Sequence, residues 1–147
     1  MDKEQARQEC LHFLKSQEYA VIATVSKEGA PEAATVSFSV NDNFDMYFAT
    51  RHATRKFKNL ENNQDVALVV GTGPGPVTVQ IQGTAQLLDG EEQEQAMVEF
   101  LTSKMSYYDV FLKLPGFDLA AFKVTPYWIR MLNADAIRKE EKYIQVL

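Results

Sequence analysis

Hydrophobic positions in this chain recur at two spacings, and the places where one gives way to the other divide it into elements. Over residues 2–17, Ala6, Cys10, Phe13 and Leu14 share one face at helical spacing, with Lys3, Glu4, Arg7 and Glu9 around the rest. That pattern predicts an amphipathic first helix. The run YAVIATV is β-branched and aromatic, Gly29 and Pro31 supply a turn, and EAATVSFSV resumes at Glu32. Two strands joined by a hairpin are expected. In the second strand Ala34, Val36, Phe38 and Val40 alternate with Thr35, Ser37 and Ser39, giving one apolar face and one carrying three hydroxyls. The hydroxyl face can meet a polar ligand or plain solvent, and the pattern leaves both open.

Asn41, Asp42 and Asn43 make the next turn, and FDMYFAT reads as a third strand. Thr54 then stands where a helix N-cap would, ahead of Phe57 and Leu60 spaced three apart for burial. DVALVVG is a strand apolar on both sides, ended by the loop TGPGP, which lacks the Gly-Lys-Ser/Thr ending of a nucleotide-binding P-loop. VTVQIQGTAQLLD sets Val77, Val79 and Ile81 against Thr78, Gln80 and Gln82, with Gly83 as a bulge that bends a long strand. Residues 91–104 predict a second substantial helix and residues 107–114 another, and LAAFKVTPYWIRML gives one or two strands broken near Pro126. The tail after Asn133 is too polar to place. Six or seven strands in antiparallel meanders, with two or three helices, predict a mainly β fold: a small barrel with flanking helices.

Composition narrows the function classes. At 147 residues with 46% hydrophobic side chains, one domain covering residues 1–147 is expected, with a core that needs no staples. A net charge of −5 argues against a dedicated nucleic-acid binder, whose affinity rests on a broad basic surface. No apolar run approaches the roughly 20 residues that span a bilayer, and the charged N-terminus lacks the apolar core of a signal peptide, so a cytoplasmic protein is expected. The single cysteine excludes an internal disulfide. On its apolar face Cys10 reads as a small core residue rather than a nucleophile. His12 and His52 offer no metal-ligand spacing.

Against that acidic background, Arg51, Arg55, Lys56 and Lys58 cluster where a strand ends and a helix begins. A helix start presents unpaired N–H groups and the positive end of the dipole, so Arg55 and Lys56 carry the wrong sign there unless something negative is held. The cluster reads either as a solvated basic face or as a phosphate cradle.

Between Tyr19 and Met131 the residues resemble the FMN-binding split-barrel superfamily related to pyridoxamine 5′-phosphate oxidase. The specific part is an aromatic strand followed by Thr, three residues, Ser or Thr, Arg, Lys and a later Leu before Asn. Here it is Phe48, Thr50, Thr54, Arg55, Lys56, Leu60 and Asn63. The long strand through Gly83 and the late strand pair at Pro126 add to it. The resemblance implies a six- to seven-stranded antiparallel split β-barrel and a homodimer with FMN at the subunit interface. It places the phosphate on Thr50, Thr54, Arg55 and Lys56. Thr35, Val36, Ser37 and Phe38 would lie along the flavin ring, with Thr78 and Gln80 approaching from the next strand and Trp128 folding over it. Phe38, Trp128, Ile129 and Met131 are then expected at the dimer interface rather than in the monomer core.

The chain departs from true pyridoxamine-phosphate oxidases, which carry Arg and Lys where it has Ala34 and Ser39, and Gln where it has Thr78. The Tyr, Arg and Ser set that grips the substrate phosphate in those enzymes has no counterpart in SYYDVFLKLPG, and Trp128 follows Pro126 too closely for their C-terminal signature. The expected function is a flavin-dependent oxidoreductase whose substrate is not a B6 vitamer, with NAD(P)H or a small-molecule redox substrate as partner. No catalytic side chain is assigned, because FMN carries the chemistry. The alternative is a non-catalytic sensor or storage protein for flavin, deazaflavin or haem, with His52 as the haem-ligand candidate.

Overall fold

The computed structural model describes residues 2–71, 75–103, 118–134 and 143–147, with residues 97–103 by their backbone alone. Helix α1 (Lys3–Ser16) starts on a capping box, in which the Asp2 carboxylate accepts from the Gln5 amide and the Gln5 side chain accepts from the Asp2 amide. Its buried face is Ala6, Cys10 and Leu14. Burial pushes the Cys10 thiol up to about 12, so it is a packing group with no thiolate at neutral pH.

Strands β1 (Tyr19–Val25) and β2 (Pro31–Val40) form the expected hairpin, and β3 (Met46–Arg51) follows the asparagine turn. Helix α2 (Arg55–Asn62) leads to β4 (Asp65–Val70) and β5 (Val77–Leu87), then helix α3 (Gly90–Ser103), β6 (Leu119–Asn133) and β7 (Tyr143–Gln145). The sheet runs β3-β2-β1-β4-β5-β6-β7, all neighbours antiparallel, and β3 also pairs with β6, closing six strands into a barrel with β7 outside it. The predicted helix at residues 107–114 lies outside the described residues.

The late strands settle one alternative and correct one reading. Of the one or two strands expected around Pro126, the chain forms one, β6, which runs for 15 residues with an irregularity at the proline. The irregularity is a bulge: Gln82 pairs with Trp128 while Gly83 pairs with Pro126, so the extra residue is Tyr127 on β6 and not Gly83 on β5. Pro126 can sit at this interruption because the regular ladder is already lost there. The three-residue β7, absent from the sequence pattern, pairs with β6 just past the bulge.

Inward-facing positions of every barrel strand fill one core, with Phe38, Phe44, Phe48, Ile22, Leu68, Ile81 and Val70 among its fully buried members. Each large side chain buried this way contributes about 1.5–3 kcal/mol. Phe38, Ile129 and Met131 are 1%, 1% and 2% exposed, which corrects the expectation that they form an interface: they face inward in the single chain. Only Trp128 of that set is half-exposed.

Gly83 is required by packing. A Cβ there would stand 2.7 Å from the Thr125 carbonyl oxygen and 3.0 Å from Pro126 Cα, both backbone atoms that cannot swing aside. Gly83→Ala is expected to lower unfolding free energy by about 1–3 kcal/mol in chemical denaturation. Gly75→Ala, where an added Cβ meets nothing within 4 Å, should stay within about 0.5 kcal/mol of the parent.

Candidate functional site

Strand β3 delivers the chain to the start of α2 at the rim of the barrel. The turn between them closes when the Thr54 amide donates to the Arg51 carbonyl at 3.1 Å. Thr54 is the N-cap, its hydroxyl oxygen accepting from the Phe57 amide at 3.3 Å. Its one hydroxyl hydrogen goes to the Arg51 carbonyl at 2.9 Å, which makes Thr50 the donor of the 2.9 Å bond between the two threonines. Both hydroxyl hydrogens are therefore spent on shaping the helix start. Thr50 is 5% exposed. The amides of Arg55 and Lys56, in the first turn, have no place in the intrahelical ladder.

The basic residues differ from one another in their surroundings. Arg55 is not a free cation: its Nη1 donates to Glu32 Oε2 at 3.0 Å. The other Glu32 oxygen accepts from Asn59 Nδ2 at 2.8 Å, and the same Nδ2 donates to Thr24 Oγ1 at 2.9 Å. Asn59 and Thr24 are buried, so this network fastens α2 to the β1–β2 pair. Lys56 is half-buried and has no carboxylate partner among the described residues. Its pKa lies below the usual lysine value because burial penalises the charged form, and because the Arg55 guanidinium repels it. His52 lies beside the helix, Nδ1 2.8 Å from Asp118 Oδ2 and its ring 4.5 Å from that of Phe57.

The other residues matched to the flavin site lie elsewhere. Val36 and Phe38 point into the core, so they offer a ligand only their backbone. Thr35 and Ser37 face outward on β2. Thr35 starts a row across the sheet, Thr35, Val21, Val69, Gln80, Arg130, that puts Gln80 three strands away, about 14 Å off. Gln80 is exposed, whereas the Thr78 hydroxyl is taken by the Gly71 carbonyl at 3.0 Å. Trp128 lies under the Arg130 guanidinium, 5.0 Å from its ring. Thr50, Thr54, Arg55 and Lys56 are thus gathered at one rim, while Thr35, Ser37, Gln80 and Trp128 are spread over the outer face of the sheet.

Three clefts are lined by none of these residues. One of about 680 Å³ lies between α3 and β6, with Glu91, Glu92, Glu94 and Lys123 on its walls. A second, about 480 Å³, lies under α2 against Leu87 and Phe122, and a third, about 540 Å³, under α1 against Met131. Among the described residues no cluster of three metal-ligating side chains occurs.

Sequence reasoning passed over Glu32 and Asn59. The signal was there for Glu32, a carboxylate in phase with Ala34, Val36 and Phe38 on the apolar side of its strand.

The chain shares its fold and much of its length with known proteins. General stress protein 26 of Bacillus subtilis (strain 168) is 26% identical over 137 residues, covering 91% of this chain and 93% of that protein. The crystal structure of General Stress Protein 26 from Bacillus anthracis str. Sterne superposes with a TM-score of 0.74 at 18% identity, covering 96% of this chain and 98% of the other. A haem-binding protein from Mycobacterium smegmatis reaches a TM-score of 0.77 at 15% identity over 95% of this chain, which spans 57% of that protein's length. The family model for pyridoxamine 5′-phosphate oxidase matches residues 6–133, nearly the whole barrel, and with the closed antiparallel sheet it establishes that the chain belongs to the pyridoxamine 5′-phosphate oxidase-like family of split barrels.

Proposed function

We propose that this protein is an FMN-binding flavoprotein that holds the FMN phosphate at the start of α2 and acts as an oxidoreductase on a small-molecule substrate. The observation that carries the reading is Lys56, a half-buried cation without a carboxylate partner among the described residues, beside first-turn amides that the helix itself does not use. Holding a lysine there against burial and Arg55 costs free energy, and a bound phosphate removes that cost. Thr54 and Thr50 fix the helix start. Arg55 adds a guanidinium edge beyond the one bonded to Glu32, and FMN when bound supplies the redox chemistry.

The outer sheet face supports the homodimer in which the flavin is shared. Ala23, Ala33, Ala67, Val21 and Val69 form a strip of small apolar side chains across β2, β1 and β4, bordered by Thr35, Gln80, Gln82 and Trp128. Ala33 and Ala67 are exposed in the single chain. An apolar centre with a polar border is the anatomy of a protein interface. A second copy packed there would bring its own rim toward the residues that one chain leaves scattered.

A second reading is favoured by His52, whose ring is oriented by Asp118 through Nδ1, with no hydrogen bond to Nε2 among the described residues, the arrangement of a carboxylate-oriented metal ligand. Haem storage would follow from it. Purified protein that is yellow, with flavin absorption bleached by NADH or NADPH, supports the first reading. A Soret band lost in His52→Ala supports the second.

Lys56→Ala is expected to weaken FMN binding roughly tenfold to a hundredfold, the worth of one charge-assisted hydrogen bond, and to leave riboflavin unaffected. Equal FMN affinity in variant and parent removes the phosphate assignment. The lowered Lys56 pKa gives the sign of the pH dependence: the ammonium form attracts the phosphate, so FMN affinity falls as pH rises through a value below the ordinary 10.5. Lys56→Arg, charged throughout, should hold its affinity across that range.

Sedimentation is expected to show about twice the 16.6 kDa chain mass. Ala67→Glu, on the exposed side of β4, should give a folded monomer that releases FMN. A monomer that keeps FMN at full affinity would refute the shared site.

A further inference from the structure

Glu32 is a carboxylate in an unexpected place. It projects from the inward phase of β2 at the barrel rim, and its side chain is 21% exposed whereas that of Arg55, its partner, is 77% exposed. Surface ion pairs between two mobile chains contribute little. This pair differs because one member is fixed. Oε1 is held by the buried Asn59 amide, which is itself held by the buried Thr24 hydroxyl, so the negative charge cannot rotate away from α2. The fixed charge faces the guanidinium that a phosphate at the start of α2 would also use.

We propose that Glu32 sets the anion affinity of this site, by holding a fixed negative charge against Arg55 so that a bound phosphate monoester must share that guanidinium and remains exchangeable. The inference rests on the phosphate reading given above for Lys56. Arg55 Nη1 is committed to Glu32. The remaining donors of a guanidinium can still meet a second anion, because its five N–H groups fan out in one plane. The phosphate then gains one edge of the fork and pays repulsion from the carboxylate on the other. The site attracts phosphate through Lys56 and is restrained through Glu32.

Glu32→Gln tests this, because the amide keeps an oxygen acceptor for Asn59 while removing both the charge and the acceptor that Arg55 uses, which frees the guanidinium. Fluorescence titration of the full chain with FMN should show binding about threefold to tenfold tighter than in the parent, the scale of removing one partly screened like charge. Riboflavin affinity should stay the same, and added salt should weaken FMN binding more steeply in the variant. A gain confined to the phosphorylated ligand does not arise from loosened packing. Glu32→Thr, suited to a strand, repeats the measurement should the glutamine variant fold poorly. Unchanged or weaker FMN binding, or an equal gain for riboflavin, overturns the proposal. If Lys56→Ala weakens FMN binding while Glu32→Gln leaves it flat, this inference alone fails; if Lys56→Ala is silent too, the phosphate reading falls with it.

Discussion

Barrel closure depends on one edge of β6 being used twice. Before the bulge that edge pairs with β3, from Leu119↔Arg51 to Val124↔Met46; after it, Leu132, Met131 and Arg130 pair with β7. The other edge stays on β5 across the bulge, from Phe122↔Leu87 to Asn133↔Val77. Twist changes at a bulge, so one strand can leave the barrel wall and accept a different partner without losing its hydrogen bonds. Gly83 makes this possible by letting the β6 backbone approach where any side chain would collide. Everything at the functional rim follows, because β3 ends where its pairing with β6 ends, and α2 starts four residues later.

Strand and helix bounds up to β5 were legible because alternation and capping are local: Thr54 as N-cap and the hairpin at Gly29 need no knowledge of the fold. What failed was non-local. Pro126 looks like a strand breaker until it is seen beside a bulge, and three residues such as Tyr143–Gln145 become a strand only because β6 offers an open edge. Alternation told which residues of β2 share a face but not which face is inside, so Phe38 could be read toward an interface when it fills the core. Trp128 and Ile129, adjacent in sequence, were grouped together although the pleat sends them to opposite sides.

The rim shows the same division. The basic cluster and its helix cap were visible in sequence, and the structure gathers Thr50, Thr54, Arg55 and Lys56 at one rim. Their inequality was not visible, since it arises from Glu32, 23 residues earlier in the chain, which pairs with Arg55 and leaves Lys56 without a carboxylate partner among the described residues. The sign mismatch at the helix start is thus half answered from within the protein.

Cys10 is the sole thiol, fully enclosed between α1 and the barrel. A thiol reagent added to the folded protein reaches it only when that seam opens, so its rate of modification becomes a clock for the lifting of α1. The same silence means that a cysteine introduced on the outer face would be labelled alone, turning that surface into a place where proximity between chains can be read by a probe.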